Sequence, residues 1–295
     1  MSASTTIELA GHTTHRVGYG AMQLGDLDRL TLPEDEAVAL LRAAAELGVD
    51  HIDTAAFYAA GEINRAIGRA LGDRFGTLVL ATKIGARRDP VTRLRPAQQP
   101  AQLREQVEEN LRQLGAERLD LVYLRRADRE PGIVATGDQL VPLDDQLAAL
   151  IALREEGAIG AIGLSAVSAA QIEAADGAGV VAVQNAYNLI ERGDEDVLAA
   201  CRAHGIAWVP FFPLGSGFAG AHSVAARPEV VTAAGELGIL PAQLALAWLL
   251  QHYDRTALIP GTRSLEHLEQ NLAAARLTIP AEIVRVLDGL GVATQ

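Results

Sequence analysis

Gln102-Leu-Arg-Glu-Gln-Val-Glu-Glu-Asn-Leu-Arg-Gln-Leu-Gly-Ala-Glu-Arg-Leu-Asp-Leu-Val-Tyr-Leu-Arg125 carries the pattern that decides the fold. Leu103, Val107, Leu111 and Leu114 recur at helical spacing, Gly115 stops the helix, and residues 119–125 form a β-rich apolar run. The unit repeats in both directions. Strands are expected at residues 17–21, 49–55, 78–84, 119–125, 161–166, 180–186, 206–212 and 256–260. Between them helices are expected at 34–47, 63–71, 102–114, 143–156, 168–175, 194–204, 242–252 and 265–274. The first has Thr31-x-x-Glu34 as a capping box and Gly48 as its stop. Eight strand–helix units without a linker or composition break predict an α/β chain, a (β/α)8 barrel in one domain over residues 1–295. The opening stretch (6–9, Gly11, 14–16) reads as a hairpin closing the barrel's bottom.

The rival architecture, a doubly wound sheet, needs a phosphate loop after its first strand, and none occurs there. Gly215-Ser-Gly217-Phe-Ala-Gly220 has the dinucleotide spacing, but it comes late and precedes a poor helix. It reads better as part of a barrel loop. The longest loops, 127–142 and 213–227, then lie on the C-terminal face, where barrel active sites are built.

Composition removes several classes of function. The chain is 49% hydrophobic and 21% charged, enough for a sizeable core and unlike a disordered chain. No run of 18 apolar residues and no basic-then-apolar N-terminus occurs, so neither a membrane span nor a secretory signal is expected. Cys201 is the only cysteine, which fits a cytoplasmic chain. A net charge of −12 argues against a nucleic-acid partner. The histidines show no metal-ligand spacing, so no metal is expected, and Trp208 and Trp248 read as core.

Lys83 is the only lysine; the other 24 basic residues are arginine. A lone amine in that background marks a place where a compact, adjustable cation is needed. Strand two ends in His51-Ile-Asp53-Thr-Ala-Ala-Phe-Tyr58 and strand three in Ala81-Thr-Lys83-Ile-Gly85. Adjacent parallel strands would let Asp53 and Lys83 pair in the barrel mouth, with Tyr58 reaching over them from the following loop. A lysine ammonium stabilises a nearby phenolate, which suits a tyrosine acid that protonates a developing alkoxide. The bland alternative is a structural ion pair beside a surface aromatic. At strand eight, Ile259-Pro-Gly261-Thr262-Arg263-Ser264 runs into a helix, an anion site that suits a phosphate monoester or else an ordinary N-cap.

These residues resemble the aldo-keto reductases. The resemblance runs from Arg16 nearly to the C-terminus through Gly18-Tyr-Gly20-Ala-Met22-Gln-Leu, Asp53-Thr…Tyr58, Thr82-Lys83-Ile-Gly, Ile162-Gly163-Leu-Ser165, Val183-Gln184-Asn-Ala-Tyr-Asn188 and Phe211-Phe-Pro-Leu-Gly215. It implies a metal-free barrel that binds NADPH, with Tyr58 as proton donor and Lys83 and Asp53 as supporting residues. Ser165 and Gln184 would hold the nicotinamide amide and Phe211 would stack on its ring, where the family usually has tyrosine. Leu214, Gly215 and Gly217 would line the diphosphate loop, and Gly20 and Met22 would also touch the cofactor. Thr262, Arg263, Ser264, His267, Gln270 and Asn271 would surround the adenosine and its 2′-phosphate.

Two positions depart from the family pattern. Arg125 follows Tyr123-Leu124 where the family usually has histidine, and Ala166 follows Ser165 where it usually has asparagine. Arg125, with Thr82-Lys-Ile-Gly-Ala-Arg-Arg88, Val209-Pro-Phe-Phe-Pro-Leu-Gly215 and Ala245-Leu-Ala-Trp-Leu-Leu-Gln251, resembles a bacterial subgroup that includes pyridoxal reductases. The function expected is NADPH-dependent reduction of an aldehyde or ketone, a small molecule such as pyridoxal or another aromatic aldehyde. Arg125 is expected to face the pocket as a donor to a substrate oxyanion, or else to pair with Asp128. A Schiff-base aldolase using Lys83 and a weakly catalytic NADPH-binding redox sensor are the alternatives.

Overall fold

The computed structural model describes residues 4–129, 132–215 and 223–291. Thr6–Leu9 (β1) and His12–His15 (β2) pair antiparallel. The chain then enters a parallel sheet through Tyr19–Gly20 (β3), His51–Asp53 (β4) and Val79–Ile84 (β5). A second antiparallel hairpin, Ala86–Asp89 (β6) and Arg93–Pro96 (β7), follows β5 directly. Leu119–Arg125 (β8), Ile159–Ser165 (β9), Val180–Gln184 (β10) and Ala207–Trp208 (β11) complete the sheet. Its order is β3-β4-β5-β8-β9-β10-β11.

The eighth expected strand closes the sheet without forming a ladder of its own. Thr256 bridges Trp208 on one side and Leu258 bridges Val17 on the other. Gly18 N–H donates to the Leu258 carbonyl at 2.8 Å and Leu258 N–H to the Arg16 carbonyl at 2.7 Å. Proline explains the short ladders here: Pro210 and Pro260 lack the amides that would continue pairing on either side of this seam. The buried Arg16 guanidinium reinforces the closure, donating to the carbonyls of Thr256, Leu250 and Tyr253.

Helices Glu34–Glu46 (α1), Glu62–Leu71 (α2), Pro100–Leu114 (α3), Leu143–Glu155 (α4), Ala169–Ala174 (α5) and Glu195–His204 (α6) alternate with the strands. Pro228–Leu237 (α7), Pro241–His252 (α8), Leu265–Ala273 (α9) and Ala281–Asp288 (α10) follow. The Thr31 capping box does not form. Pro33 sits at the N-cap of α1 with φ −51°, and Thr31 Oγ1 donates to the Leu24 carbonyl instead. Gly48, at φ +92°, supplies the stop. Sequence reading did not anticipate α7, α10 or the β6–β7 hairpin.

A strand's period of two explains how this wall makes a site. Val79 and Ala81 on β5, Leu121 and Tyr123 on β8, Ala161 on β9 and Ala182 on β10 fill the barrel interior. Ile7 and Leu9 of the hairpin join that cluster at its base. Two residues further along their strands stand Lys83, Arg125 and Gln184, Ser165 stands four residues after Ala161 with the same parity, and Asp53 holds the same place two residues after the buried His51. The interior is apolar below and polar at the C-terminal rim. Small residues make room for the large ones: a side chain at Gly163 would strike the Tyr123 ring. A larger cluster, including Trp208 and Trp248 at 1% exposure each, cements the helices to the outside of the sheet.

Candidate active site

Lys83 is enclosed and fully engaged. Its Nζ donates to Asp53 Oδ1 at 2.5 Å and to the Thr54 carbonyl at 3.0 Å, and it lies 5.2 Å from the centre of the Tyr58 ring. Burial alone would lower the lysine pKa, but Asp53 and Tyr58 outweigh it and hold the group above its ordinary value. The other Asp53 oxygen accepts from Gln184 Nε2 at 2.9 Å. The wall therefore carries a closed chain from Gln184 through Asp53 to Lys83, ending beneath Tyr58.

Tyr58 is buried on the turn after β4, edge-on to Phe57 with ring centres 5.1 Å apart. The backbone just after it is unusual: Ala59, Ala60 and Gly61 have φ of 48°, 52° and 84°. Left-handed alanine costs about 1 kcal/mol or more per residue, so neighbours must hold it. Ala59 N–H donates to the Asp26 carbonyl at 2.8 Å and Ala60 N–H to the Leu27 carbonyl at 3.2 Å. The Asp26–Leu30 loop is itself tied down: Glu62 Oε2 accepts from Leu30 N–H at 2.8 Å, and Asp28 pairs with Arg88 of the hairpin. The strain beside Tyr58 is thus clamped from two sides. A cavity of about 300 Å³, lined by Phe57, Ala60, Ala86, Arg87 and Arg88 among others, reaches Lys83 from the hairpin side.

Arg125 ends β8, in register with Ser165 of β9. Its backbone carbonyl is fixed by Gln98 Nε2 at 2.9 Å. Burial lowers its guanidinium pKa, with Tyr58 the opposing influence. The pairing expected with Asp128 goes to its neighbour: Arg126 donates to Asp128 at 2.5 Å, while Arg129 pairs with Asp194. No acidic partner faces Arg125 among the described residues.

The residues expected to hold a cofactor lie around the same rim. Gln184 carries the most informative feature: with Nε2 committed to Asp53, its Oε1 is buried without a hydrogen-bond partner. Such an orphan acceptor fits a primary-amide donor, and a nicotinamide carboxamide is one. Ser165 is buried beside it. Phe211 is half-buried and bridges Ala186, and Phe212 stands edge-on to it at 5.0 Å. A side chain at Gly20 would overlap the Ile259 carbonyl, so that position lets β3 approach the closing segment. Met22, Leu214 and Gly215 are half-buried, whereas Gly217 lies outside the described residues.

At the end of the closing segment Ser264 caps α9, accepting from His267 N–H at 3.3 Å. Thr262 Oγ1 accepts from Ser264 N–H at 3.0 Å, and the Thr262 carbonyl from Tyr19 Oη at 2.6 Å. Arg263 is exposed, and its guanidinium donates to Thr31 Oγ1 at 3.4 Å. His267 is also exposed, Gln270 donates to Glu266, and Asn271 is buried. A cation beside a fresh helix N-terminus fits a phosphate monoester.

Sequence profiles agree with this geometry: the aldo/keto reductase family profile matches residues 16–291. The chain belongs to that family. The reductase is 41% identical to pyridoxine 4-dehydrogenase of Escherichia coli strain K12, over 98% of this chain and 99% of that protein. It is 34% identical to an uncharacterized oxidoreductase of Schizosaccharomyces pombe, over 98% and 91% of the two chains. An aldo/keto reductase from Klebsiella pneumoniae, solved with NADP and acetate, superposes with a TM-score of 0.80 at 28% identity, covering 97% of this chain and 95% of that one.

Other chemistries find little support among the described residues of the reductase. No group of three or more His, Cys, Asp or Glu side chains could hold a metal ion. No single helix is long and apolar enough to cross a membrane. Burial pushes the Cys201 thiol up to about 12, which leaves it without thiolate character. His51 is buried with both ring nitrogens unpaired, and burial lowers its pKa, so it stays neutral inside the barrel.

Proposed function

We propose that the chain reduces an aldehyde or ketone to the alcohol using NADPH, with Tyr58 as the acid. Bound NADPH supplies the hydride. Its nicotinamide carboxamide would meet Gln184 Oε1 and Ser165, its ring Phe211, and its adenosine phosphate Arg263 and the start of α9 between Thr262 and Asn271. Met22, Gly20, Leu214 and Gly215 would form the walls between.

The remaining chemistry belongs to this chain's own side chains. Tyr58 Oη hydrogen-bonds the carbonyl oxygen and delivers its proton as negative charge grows there. Lys83, kept charged by Asp53, stabilises the phenolate that the transfer leaves behind. Gln184 steadies the second Asp53 oxygen, so the carboxylate cannot turn away from the lysine. The observation that carries this reading is the Lys83 ammonium fixed between the Asp53 carboxylate at 2.5 Å and the Tyr58 ring at 5.2 Å.

The same pairing disfavours the aldolase reading, since a Schiff base requires a neutral amine and this one is held protonated. A pyridoxal-type substrate is supported by the 41% identity to pyridoxine 4-dehydrogenase. The test is an NADPH-oxidation screen over aldehydes and ketones with pyridoxal included, run beside borohydride trapping on Lys83. Turnover with pyridoxal or a related aromatic aldehyde is expected, and no trapped adduct. A borohydride-stable adduct on Lys83, or no NADPH oxidation with any carbonyl, contradicts the reading.

A further inference from the structure

The inward-facing rim carries an unbalanced charge. Asp53 is negative, Lys83 and Arg125 are positive, and Ser165 and Gln184 are neutral. Both Asp53 oxygens are engaged, one on Lys83 and the other on Gln184. The acids that the neighbouring arginines meet are taken: Asp128 accepts from Arg126 and from Gln171 at 2.7 Å, and Asp194 is shared by Arg129 and Asn185. Of the three arginines 125, 126 and 129, only Arg125 is left without a hydrogen bond from its guanidinium among the described residues.

Its placement favours a ligand over solvent. The strand's parity from Leu121 through Tyr123 aims it into the barrel mouth. The long loop after β8 lies against it, so that a side chain at Gly132 would meet Nη2 at 3.5 Å. A substrate filling the mouth would strip away the remaining water, and an uncompensated guanidinium is then costly. Cofactor phosphates are poorly placed to compensate it. β8 is fourth around the barrel and the closing segment with Arg263 is eighth, on the opposite wall.

We infer that Arg125 forms an anion subsite within the substrate pocket, so that the enzyme selects carbonyl compounds carrying an ionised oxygen next to the reacting group. This rests on the carbonyl-reductase reading and narrows its substrate class to aldehydes with an adjacent phenolate or carboxylate. Arg125 presents a planar fork of donors to that oxygen, while Tyr58 addresses the carbonyl.

Salicylaldehyde and 2-methoxybenzaldehyde form the test pair, compared at a pH where the phenol is ionised, in wild type, Arg125→Met and Arg125→Lys. The intrinsic reactivities of the two aldehydes cancel when ratios are compared between enzymes. Arg125→Met should lower kcat/KM for salicylaldehyde by about 30-fold or more, as loss of one partner of an enclosed charge pair does. The methoxy compound should fall less than about 3-fold, and Arg125→Lys should recover part of the difference. On wild type alone, salicylate should inhibit at least about 10-fold more strongly than neutral salicylamide. Equal losses on both aldehydes in Arg125→Met, or equal inhibition by acid and amide, overturns the subsite while leaving carbonyl reduction standing. Failure of wild type to oxidise NADPH with either aldehyde overturns the subsite, and failure with every carbonyl of the wider screen overturns the reading beneath it as well.

Discussion

Two sides of the barrel mouth are built on opposite principles. On the β4–β5 side a cation is matched: Lys83 meets Asp53 and the Thr54 carbonyl, and Asp53 meets Gln184. On the β8–β9 side a cation of the same charge ends in the mouth with no acidic partner among the described residues. A matched cation acts through what it does to its neighbour, here a phenol. An unmatched one acts on whatever enters. On the proposed reading, the difference separates the part of the site that does chemistry from the part that chooses what is reduced.

The comparison breaks most visibly in stability. Lys83→Met leaves Asp53 buried without its counter-charge and should destabilise the fold by roughly 3–5 kcal/mol, read as a lower midpoint in urea. Arg125→Met removes a desolvated charge that the protein does not pair, and should be neutral or stabilising by on the order of 1 kcal/mol. If both variants lose the same stability, the two sides are not built differently.

Arg263→Ala sharpens the contrast on the cofactor wall. It should raise the KM for NADPH about 10-fold or more and leave that for NADH nearly unchanged, because only NADPH carries the phosphate monoester. Equal effects on the two cofactors would place Arg263 outside the phosphate site.

A smaller effect is expected at Ala166, which holds φ of 55° directly after Ser165. Asparagine tolerates that conformation better than alanine. Ala166→Asn should therefore stabilise by roughly 0.5 kcal/mol and tighten NADPH binding through an added amide. Thermal melts and fluorescence titration measure the two parts separately, and a lower melting point would show that the pocket has no room for the side chain.

Much of this site was legible as pattern. The lone lysine, its spacing from Asp53 and Tyr58, and the eight-fold repeat all survive in the structure, because each is a property of strand order and side-chain type. Other features leave no local signal. The β6–β7 hairpin is written in Ala86-Arg-Arg-Asp-Pro-Val-Thr-Arg-Leu-Arg95, which lacks an apolar alternation and contains a proline. The left-handed turn after Tyr58 is carried by two alanines, the residue type that least announces a positive φ. The isolation of Arg125 depends on which acids Arg126 and Arg129 capture, one of them Asp194 on a distant loop. Only the folded chain decides that. The parity argument, by contrast, was available: Leu121, Tyr123 and Arg125 alternate along one strand, and that alone sets the arginine facing inward.

Tyr58→Phe tests the central claim most directly, with turnover and NADPH affinity measured on the same preparation. The phenylalanine keeps the ring's packing against Phe57 and Lys83 and removes only the hydroxyl. A positioned acid contributes about 10²–10⁴-fold, so kcat should fall by at least ~10² while the NADPH Kd stays within about 2-fold of wild type. Near-normal turnover in this variant would contradict the account.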